Sequence, residues 1–333
     1  MRLNFITALL LLVGSLQAQR KIIVDPKGKG DARTIQGAIN MITDRTEMPV
    51  VIFIKKGVYD EKLYIEKPFL TLEGEDRTQT VITASIARDE WRCAINDDWG
   101  VATINVGASD LTLKNLTVVN RYGFEQTTER IIDCPADSSG RKKITRNGHQ
   151  MAVRVTNLAT RMKAVNCHFK SFGGDTMSPW EVNNGMWYFK DCVMEGAVDL
   201  YCPRGWAWAE NCTFIAHSGT AIIWHDGSGS PDARSVLKNC YFQGYDRFLL
   251  GRYHREAQFY LVDCRFAANM RDSAIYQVPV NQLKWGHRVF YADCSREDGN
   301  DFTWYRNNLP NGLIKSMITP QWVFGNRWDP LKN

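Results

Sequence analysis

The sequence predicts an all-β fold, a single parallel β-helix, and three observations carry that prediction. Six cysteines recur in one local setting: Asn166-Cys167-His168-Phe169, Asp191-Cys192-Val193-Met194, Asn211-Cys212-Thr213-Phe214, Asn239-Cys240-Tyr241-Phe242, Asp263-Cys264-Arg265-Phe266 and Asp293-Cys294-Ser295. The steps between them are 25, 20, 28, 24 and 30 residues, uneven but bounded, as in coils of a solenoid whose insertions are confined to loops. Apolar residues alternate within a unit, as in Met162, Ala164, Cys167 and Phe169. Such short strands cannot bury a face alone, so the coils must stack, at roughly 4.8 Å per rung. Chemistry then has to sit on the outer surface of a stacked sheet or in its loops.

The elements follow in order. Arg2, the apolar run from Phe5 to Val13, then Gly14, Ser15 and Ala18 read as a secretory signal peptide over residues 1–18, leaving one β-helix domain at 19–333. The run is too short to span a bilayer and no later segment reaches about 18 apolar residues, so a secreted or periplasmic chain without a membrane span is expected. Residues 21–24 predict a first strand and 25–31 a turn. Ile35, Ala38, Ile39 and Ile42 share one helical face, so a short helix can cap the open end of the solenoid. Strands follow at 50–54, 57–59, 70–74, 80–82, 102–106 and 111–118. From Asn120 to Gly148 the periodicity fails, which predicts a long loop able to border a groove. The cysteine-marked coils then run to Cys294, and a tail carrying Trp304, Trp322 and Trp328 packs back along the side.

Composition narrows the class. The chain has 333 residues, 44% hydrophobic and 23% charged, which suits one large core. Nine cysteines in an exported chain suggest disulfides, but the count is odd and six take equivalent inward positions. Stacked buried thiols are the expectation, with Cys93 and Cys134 the one pairing to entertain. No close Cys-x-x-Cys pair exists for zinc, and no metal or cofactor is expected. The formal charge of +5 suits an acidic partner such as a polyuronate, and equally suits plain solubility. Nucleic acid is not a partner for an exported chain, and a monomer is expected.

Two carboxylates stand in unusual settings, Asp175 in Phe172-Gly173-Gly174-Asp175-Thr176 and Asp199 in Gly196-Ala197-Val198-Asp199-Leu200. Their separation is close to one coil, which puts them on adjacent rungs of one face, within about 5–7 Å. Two close carboxylates cannot both ionise cheaply, so one should hold a proton while the other stays an anion. Leu250-Gly251-Arg252-Tyr253-His254 places an arginine about two coils further on. Such a pair with a cation suits attack on an ester or an acetal. The rival reading is a ladder of aspartates at solenoid turns.

These segments resemble the pectin methylesterase (pectinesterase) family of carbohydrate esterases, whose fold is a right-handed parallel β-helix. The resemblance runs through most of the chain. It rests on Ile22-Ile23-Val24 with Thr34-Ile35-Gln36-Gly37-Ala38-Ile39, on Lys55-Lys56-Gly57-Val58-Tyr59-Asp60-Glu61, on Gln150 to Val155, on Gly196-Ala197-Val198-Asp199 and on Leu250-Gly251-Arg252. It implies Asp199 as nucleophile, Asp175 as general acid and then base, Arg252 as the residue orienting Asp199, and Gln150 near the oxyanion. Two departures stand out. Gly174 occupies the place of a glutamine that donates to the tetrahedral intermediate, and Tyr253-His254 replaces Pro-Trp, a sugar platform. The Gly174 N–H, the Gln150 amide, His149 or His254 could meet the oxyanion instead, and Gly174→Gln is expected to raise turnover if none does. Tyr201, Trp206, Trp208 and Trp224 could stack on sugar rings or form a core stack.

The resemblance therefore implies an exported, cofactor-free esterase that hydrolyses methyl esters of galacturonic acid in pectin, with methyl-esterified homogalacturonan or a related polyuronate as partner. Two alternatives stay open, a polysaccharide-binding β-helix without chemistry and another β-helix lyase or glycoside hydrolase. A calcium requirement would mark the lyase. Asn96-Asp97-Asp98 resembles the acid pairs of polygalacturonases, but a loop is its simpler reading.

Overall fold

The computed structural model describes residues 20–43, 48–279 and 282–332. The leader expected at residues 1–18 lies outside the described residues. The chain winds as a right-handed parallel β-helix with three faces. One face is an unbroken sheet of ten strands, from Arg20–Val24 to Val289–Ala292, and a second is an unbroken sheet of nine, from Gly57–Asp60 to Ser295–Arg296. The third face is in two pieces. Four strands, Leu63–Ile65, Ala102–Val106, Met151–Val155 and Met177–Pro179, end where Ala221–His225, Leu249–Tyr253 and Tyr276–Gln277 begin. Tyr201 alone joins them, through parallel bridges to Met177 and Ile223.

The Asn/Asp-Cys repeat has a backbone cause. Asn115, Asn166, Asp191, Asn211, Asn239, Asp263 and Asp293 all sit at φ between 50° and 54°, at the tight corner between the first and second faces. That left-handed conformation is open to Asn and Asp at less cost than to most other side-chain-bearing residues. The amides then stack from coil to coil, Asn166 Nδ2 donating to Asn115 at 2.9 Å and Asn239 Nδ2 to Asn211 at 2.7 Å. The next residue turns inward, so Cys167, Cys192, Cys212, Cys240, Cys264 and Cys294 form a buried column of free thiols. Two positions on, Phe169, Met194, Phe214, Phe242 and Phe266 pair in register, all fully buried. Burying aromatic and thioether side chains at every rung drives the stacking.

The ends are closed as expected. Helix Ile35–Asn40 buries Ile35, Ala38 and Ile39, with Thr34 accepting from Gly37 N at 3.1 Å as its N-cap. Ile318, Val323 and Phe324 cover the outer face of the ten-stranded sheet over Tyr188, Trp206, Trp208 and Tyr260. Residues 120–148 differ from the predicted structureless loop. They carry helix Tyr122–Glu125 and an antiparallel hairpin, Arg130–Asp133 with Arg141–Ile144, and a Cys93–Cys134 disulfide ties the hairpin to helix Arg88–Ala94. Four-residue strands rich in charge leave too short an alternation to read from sequence.

Candidate active site

The break in the third face is where the two carboxylates meet. Met177 lies opposite Tyr201, so Asp175 and Asp199 take equivalent points on successive coils. Asp199 N donates to Ala221 O at 2.8 Å, holding it to the following coil. Its backbone is left-handed at φ 46°, a strained setting that only the surrounding contacts hold. On the coil after that, Arg252 is in register with Trp224. Its Nε reaches Asp199 Oδ1 at 3.1 Å and its Nη2 reaches Oδ2 at 2.6 Å, a bidentate pair. Asp199 is buried while the arginine side chain keeps 34% of its surface open. Burial pushes the Asp199 carboxyl above its usual range, Arg252 pulls it back, and the charge of Asp175 adds to the upward push.

Asp175 is also buried, and its Oδ2 accepts from Ser178 Oγ at 2.9 Å. The Ser178 oxygen in turn accepts from Trp180 Nε1 at 2.9 Å. Cys202 lies beneath Asp199: its thiol donates to Asp199 O at 2.7 Å, and burial with the nearby charges of both acids pushes that thiol up. The two loops are locked together. Ser171 Oγ and Thr176 Oγ1 stand 2.8 Å apart, Thr176 Oγ1 donates to Glu195 O at 3.2 Å, and Ser218 and Thr220 both donate to Ala197 O. Glu195 anchors the approach to Asp199. Its carboxylate is bound by His168 and His217, each at 2.9 Å, and by Lys170, and these partners hold it well below the usual carboxylate range despite its burial.

The profile of the pectinesterase family matches residues 21–161. "Pectinesterase QRT1" of Arabidopsis thaliana is 24% identical over 330 residues, covering 93% of this chain and 79% of its own. "Probable pectinesterase/pectinesterase inhibitor 58" of the same plant is 27% identical over 239 residues, and the match spans 68% of this chain and 36% of that protein. A crystal structure of a pectin methylesterase in complex with a hexasaccharide has the same fold, at a TM-score of 0.71 and 21% identity over 93% of this chain and 98% of that one. Profile, relatives and fold all support a likeness to the pectinesterase family. The matched profile ends before Asp175, Asp199 and Arg252, so in this chain the site rests on the register geometry above.

That geometry sorts the other predicted residues of this pectinesterase homologue. Gln150 is fully buried: its Oε1 accepts from Gly123 N at 2.8 Å and Gly173 N at 3.3 Å, and its Nε2 donates to Arg146 O. Its amide is consumed by the backbone and does not face an oxyanion. Tyr201 is a core residue between Phe189 and Phe214, not a sugar contact. Trp206 lies on a different face, under Arg327 of the tail at 3.7 Å. Tyr253 points into the core, its hydroxyl bonded to His287. These three were drawn to the site by proximity in sequence to Asp199 or Arg252, and strand alternation sends them elsewhere. Gly174 has no room for a side chain, since a Cβ there would meet Val198 O at 2.7 Å.

His254 does lie at the site. It stacks on Trp224 with centroids 4.8 Å apart at 22° and pairs with Asp226 at 2.9 Å. Trp224 is half-buried and carries Arg252 over its ring at 5.0 Å, so an aromatic surface stands beside the ion pair. His149 is exposed, and a positive charge on it favours the Asp199 carboxylate. Sequence reasoning missed Ser178, Trp180, Cys202, Arg88 and Tyr276, the last in register with Arg252. Coil-length bookkeeping would have found Ser178 and Cys202, each three residues after an acid on successive coils. Asp98 is a structural ion-pair residue, bound by Arg88 and Arg92.

Proposed function

We propose that this protein is an exported esterase that hydrolyses the methyl esters of galacturonic acid units in pectin. The observation that carries the reading is the bidentate Arg252–Asp199 pair in register beside Asp175, on an outward face next to the Trp224–His254 stack. Arg252 keeps Asp199 ionised and aims one oxygen at the ester carbonyl. Attack forms the Asp199–carbon bond and moves the carbonyl π pair onto oxygen. As the tetrahedral species collapses, the methoxy group leaves with a proton from Asp175, giving methanol and an acyl-aspartyl anhydride. Asp175, now an anion, takes a proton from water, whose oxygen attacks the same carbon and releases the sugar carboxylate and Asp199.

The oxyanion needs a donor in place of the glutamine absent at Gly174. Gln150 is committed to the backbone and His254 to Asp226, whereas the imidazole of His149 has no hydrogen bond among the described residues. His149 takes that role in this reading. Trp224 and His254 supply the sugar platform that Tyr253-His254 alone does not. Methanol release from highly methylated pectin, with and without a chelator, is the test. Release that resists chelation is expected. No methanol would return the protein to a binding module, and unsaturated, chelator-sensitive products would make it a lyase.

A further inference from the structure

Arg252 grips both oxygens of Asp199, whereas Asp175 is held through one oxygen only. Ser178 Oγ donates to Asp175 Oδ2 at 2.9 Å, and Trp180 Nε1 donates to the same Ser178 oxygen at 2.9 Å. The far end of this chain fixes its direction. An indole N–H can only donate, so it occupies a lone pair of Ser178 Oγ and turns the hydroxyl proton away from the ring. Among the described residues that hydroxyl has one acceptor, Asp175 Oδ2. Oδ2 is therefore the accepting oxygen of the carboxyl, and a proton on Asp175 rides on Oδ1. Cys202, the other polar neighbour of this acid, spends its single S–H on Asp199 O at 2.7 Å, and Arg88 acts on Asp175 through its charge. Oδ1 is left open.

The chain of bonds is held from behind. Met177 turns into the core, so strand alternation sends Ser178 to the side of the acid, where it is fully buried. Trp180 N donates to Val155 O at 3.0 Å on the preceding coil, and the Arg204 guanidinium lies 3.8 Å from the centre of its ring. Arg204 is fixed in turn, donating to Pro179 O and Cys202 O and pairing with Asp226 at 3.6 Å. An indole clamped in this way presents its N–H at one point, and the hydroxyl follows. We propose that Ser178, aimed by Trp180, is a positioning residue for the acid–base half of the reaction, holding Asp175 so that Oδ1 alone exchanges the proton. In the first step the Oδ1–H bond breaks and its proton goes to the methoxy oxygen, which keeps the electron pair of the breaking carbon–oxygen bond. In the second, Oδ1 takes a proton from water while the water oxygen bonds to the acyl carbon. A neutral hydroxyl suits this cycle. A guanidinium on Asp175 would hold it as an anion with no proton to give, whereas a hydroxyl steadies the anion between the two steps by the modest worth of one hydrogen bond. The assignment rests on the esterase reading.

The experiment compares kcat/KM, which covers the steps through release of the alcohol, on the methyl and trifluoroethyl esters of one galacturonan for the wild type, Ser178→Ala, Ser178→Thr and Trp180→Phe. Trifluoroethanol is a much stronger acid than methanol, so its alkoxide leaves with less help from a proton. Ser178→Ala should lose about tenfold on the methyl ester, the scale of one hydrogen bond, and less than about threefold on the trifluoroethyl ester. The methyl-ester loss should lie in kcat, with KM within about twofold of the wild type. Ser178→Thr keeps the hydroxyl and should recover most of the rate. Trp180→Phe keeps a ring without the N–H and should lose about threefold, again chiefly on the methyl ester. Equal losses on the two esters overturn the assignment, because a merely structural hydroxyl does not sense the leaving group. A threonine variant as slow as the alanine one overturns it as well. If Ser178→Ala does not fold, Trp180→Phe decides by the same ratio of esters. A wild type that releases no alcohol from either ester sinks the esterase reading and this role with it. An active wild type whose variants lose rate on both esters alike sinks this role alone.

Discussion

The first two faces of the helix and the third are built from the same coils, yet only the third is broken. Along the second face the inward column Phe169, Met194, Phe214, Phe242 and Phe266 repeats without a gap, and every rung pairs its backbone with the next. On the third face the ladder thins to the single bridge residue Tyr201, and the buried residues there include Asp175, Ser178 and Asp199. A pleated ladder presents side chains at fixed spacing and alternating faces, which suits an apolar core. It cannot by itself turn two acids and an arginine toward one point. Leaving the ladder at Asp199, with a left-handed backbone, achieves that convergence. The intact faces on either side hold the strained loop in place, so stability and chemistry reside on different sides of each coil.

Substitutions can separate the two sides, and the largest effect is expected at the break. Asp199→Ala should lower kcat for methanol release by about 10⁴-fold or more, as loss of a nucleophile does. Its melting temperature should move little, because the lost ion pair with Arg252 is offset by relief of carboxylate burial. Substantial turnover in this variant would place the nucleophile elsewhere. Phe214→Ala should do the opposite, costing about 3–5 kcal/mol in urea unfolding, since the ring is fully buried between Tyr201 and Phe242. A cost below about 1 kcal/mol would mean that the column is not what holds the coils together.

Smaller effects sharpen the picture within the site. His149→Ala should reduce kcat about 10²-fold with little change in KM, and His149→Gln should recover part of that, because an oxyanion donor acts on the transition state. Equal losses in both variants would point to a structural role. Gly174→Gln, expected from sequence to raise turnover, should instead lower it several-fold, since its Cβ would displace Val198 O and the Asp199 loop with it. A gain would show that the loop yields. The mildest effect concerns pH. Asp199 must be ionised to attack, and its carboxyl is raised above 3.8, so kcat should fall on acidification through a limb lying above the ordinary carboxylate range. A limb at or below 3.8 would show that Arg252 outweighs burial at this site.

Much of this was legible in the chain. The polar-Cys-x-apolar repeat announced both the solenoid and the inward thiols, and the spacing of Asp175, Asp199 and Arg252 placed them on neighbouring coils. Where reading failed, it failed by direction. Tyr201, Trp206 and Tyr253 are next to functional residues in sequence but point into the core or lie on another face. Gln150 carries the right amide at the right rung, yet spends it on Gly123, Gly173 and Arg146. Local sequence does not say which side of a strand a given coil presents once the ladder is interrupted.

The sequence by itself determined the repeat, because αL corners demand Asn or Asp and stacked inward positions demand small or apolar side chains, constraints that act within a few residues. It also placed the acids one coil apart. Only the tertiary structure decided which groups are free to act. Hydrogen-bond satisfaction is a property of the assembled neighbours: Gln150 and His254 find partners from distant segments, Gly174 is hemmed in by Val198 one coil away, and the arginines gather from helix Arg88–Ala94 and strand Met151–Val155 around a single Asp98. Contacts between residues dozens of positions apart set those outcomes, and no local pattern encodes them.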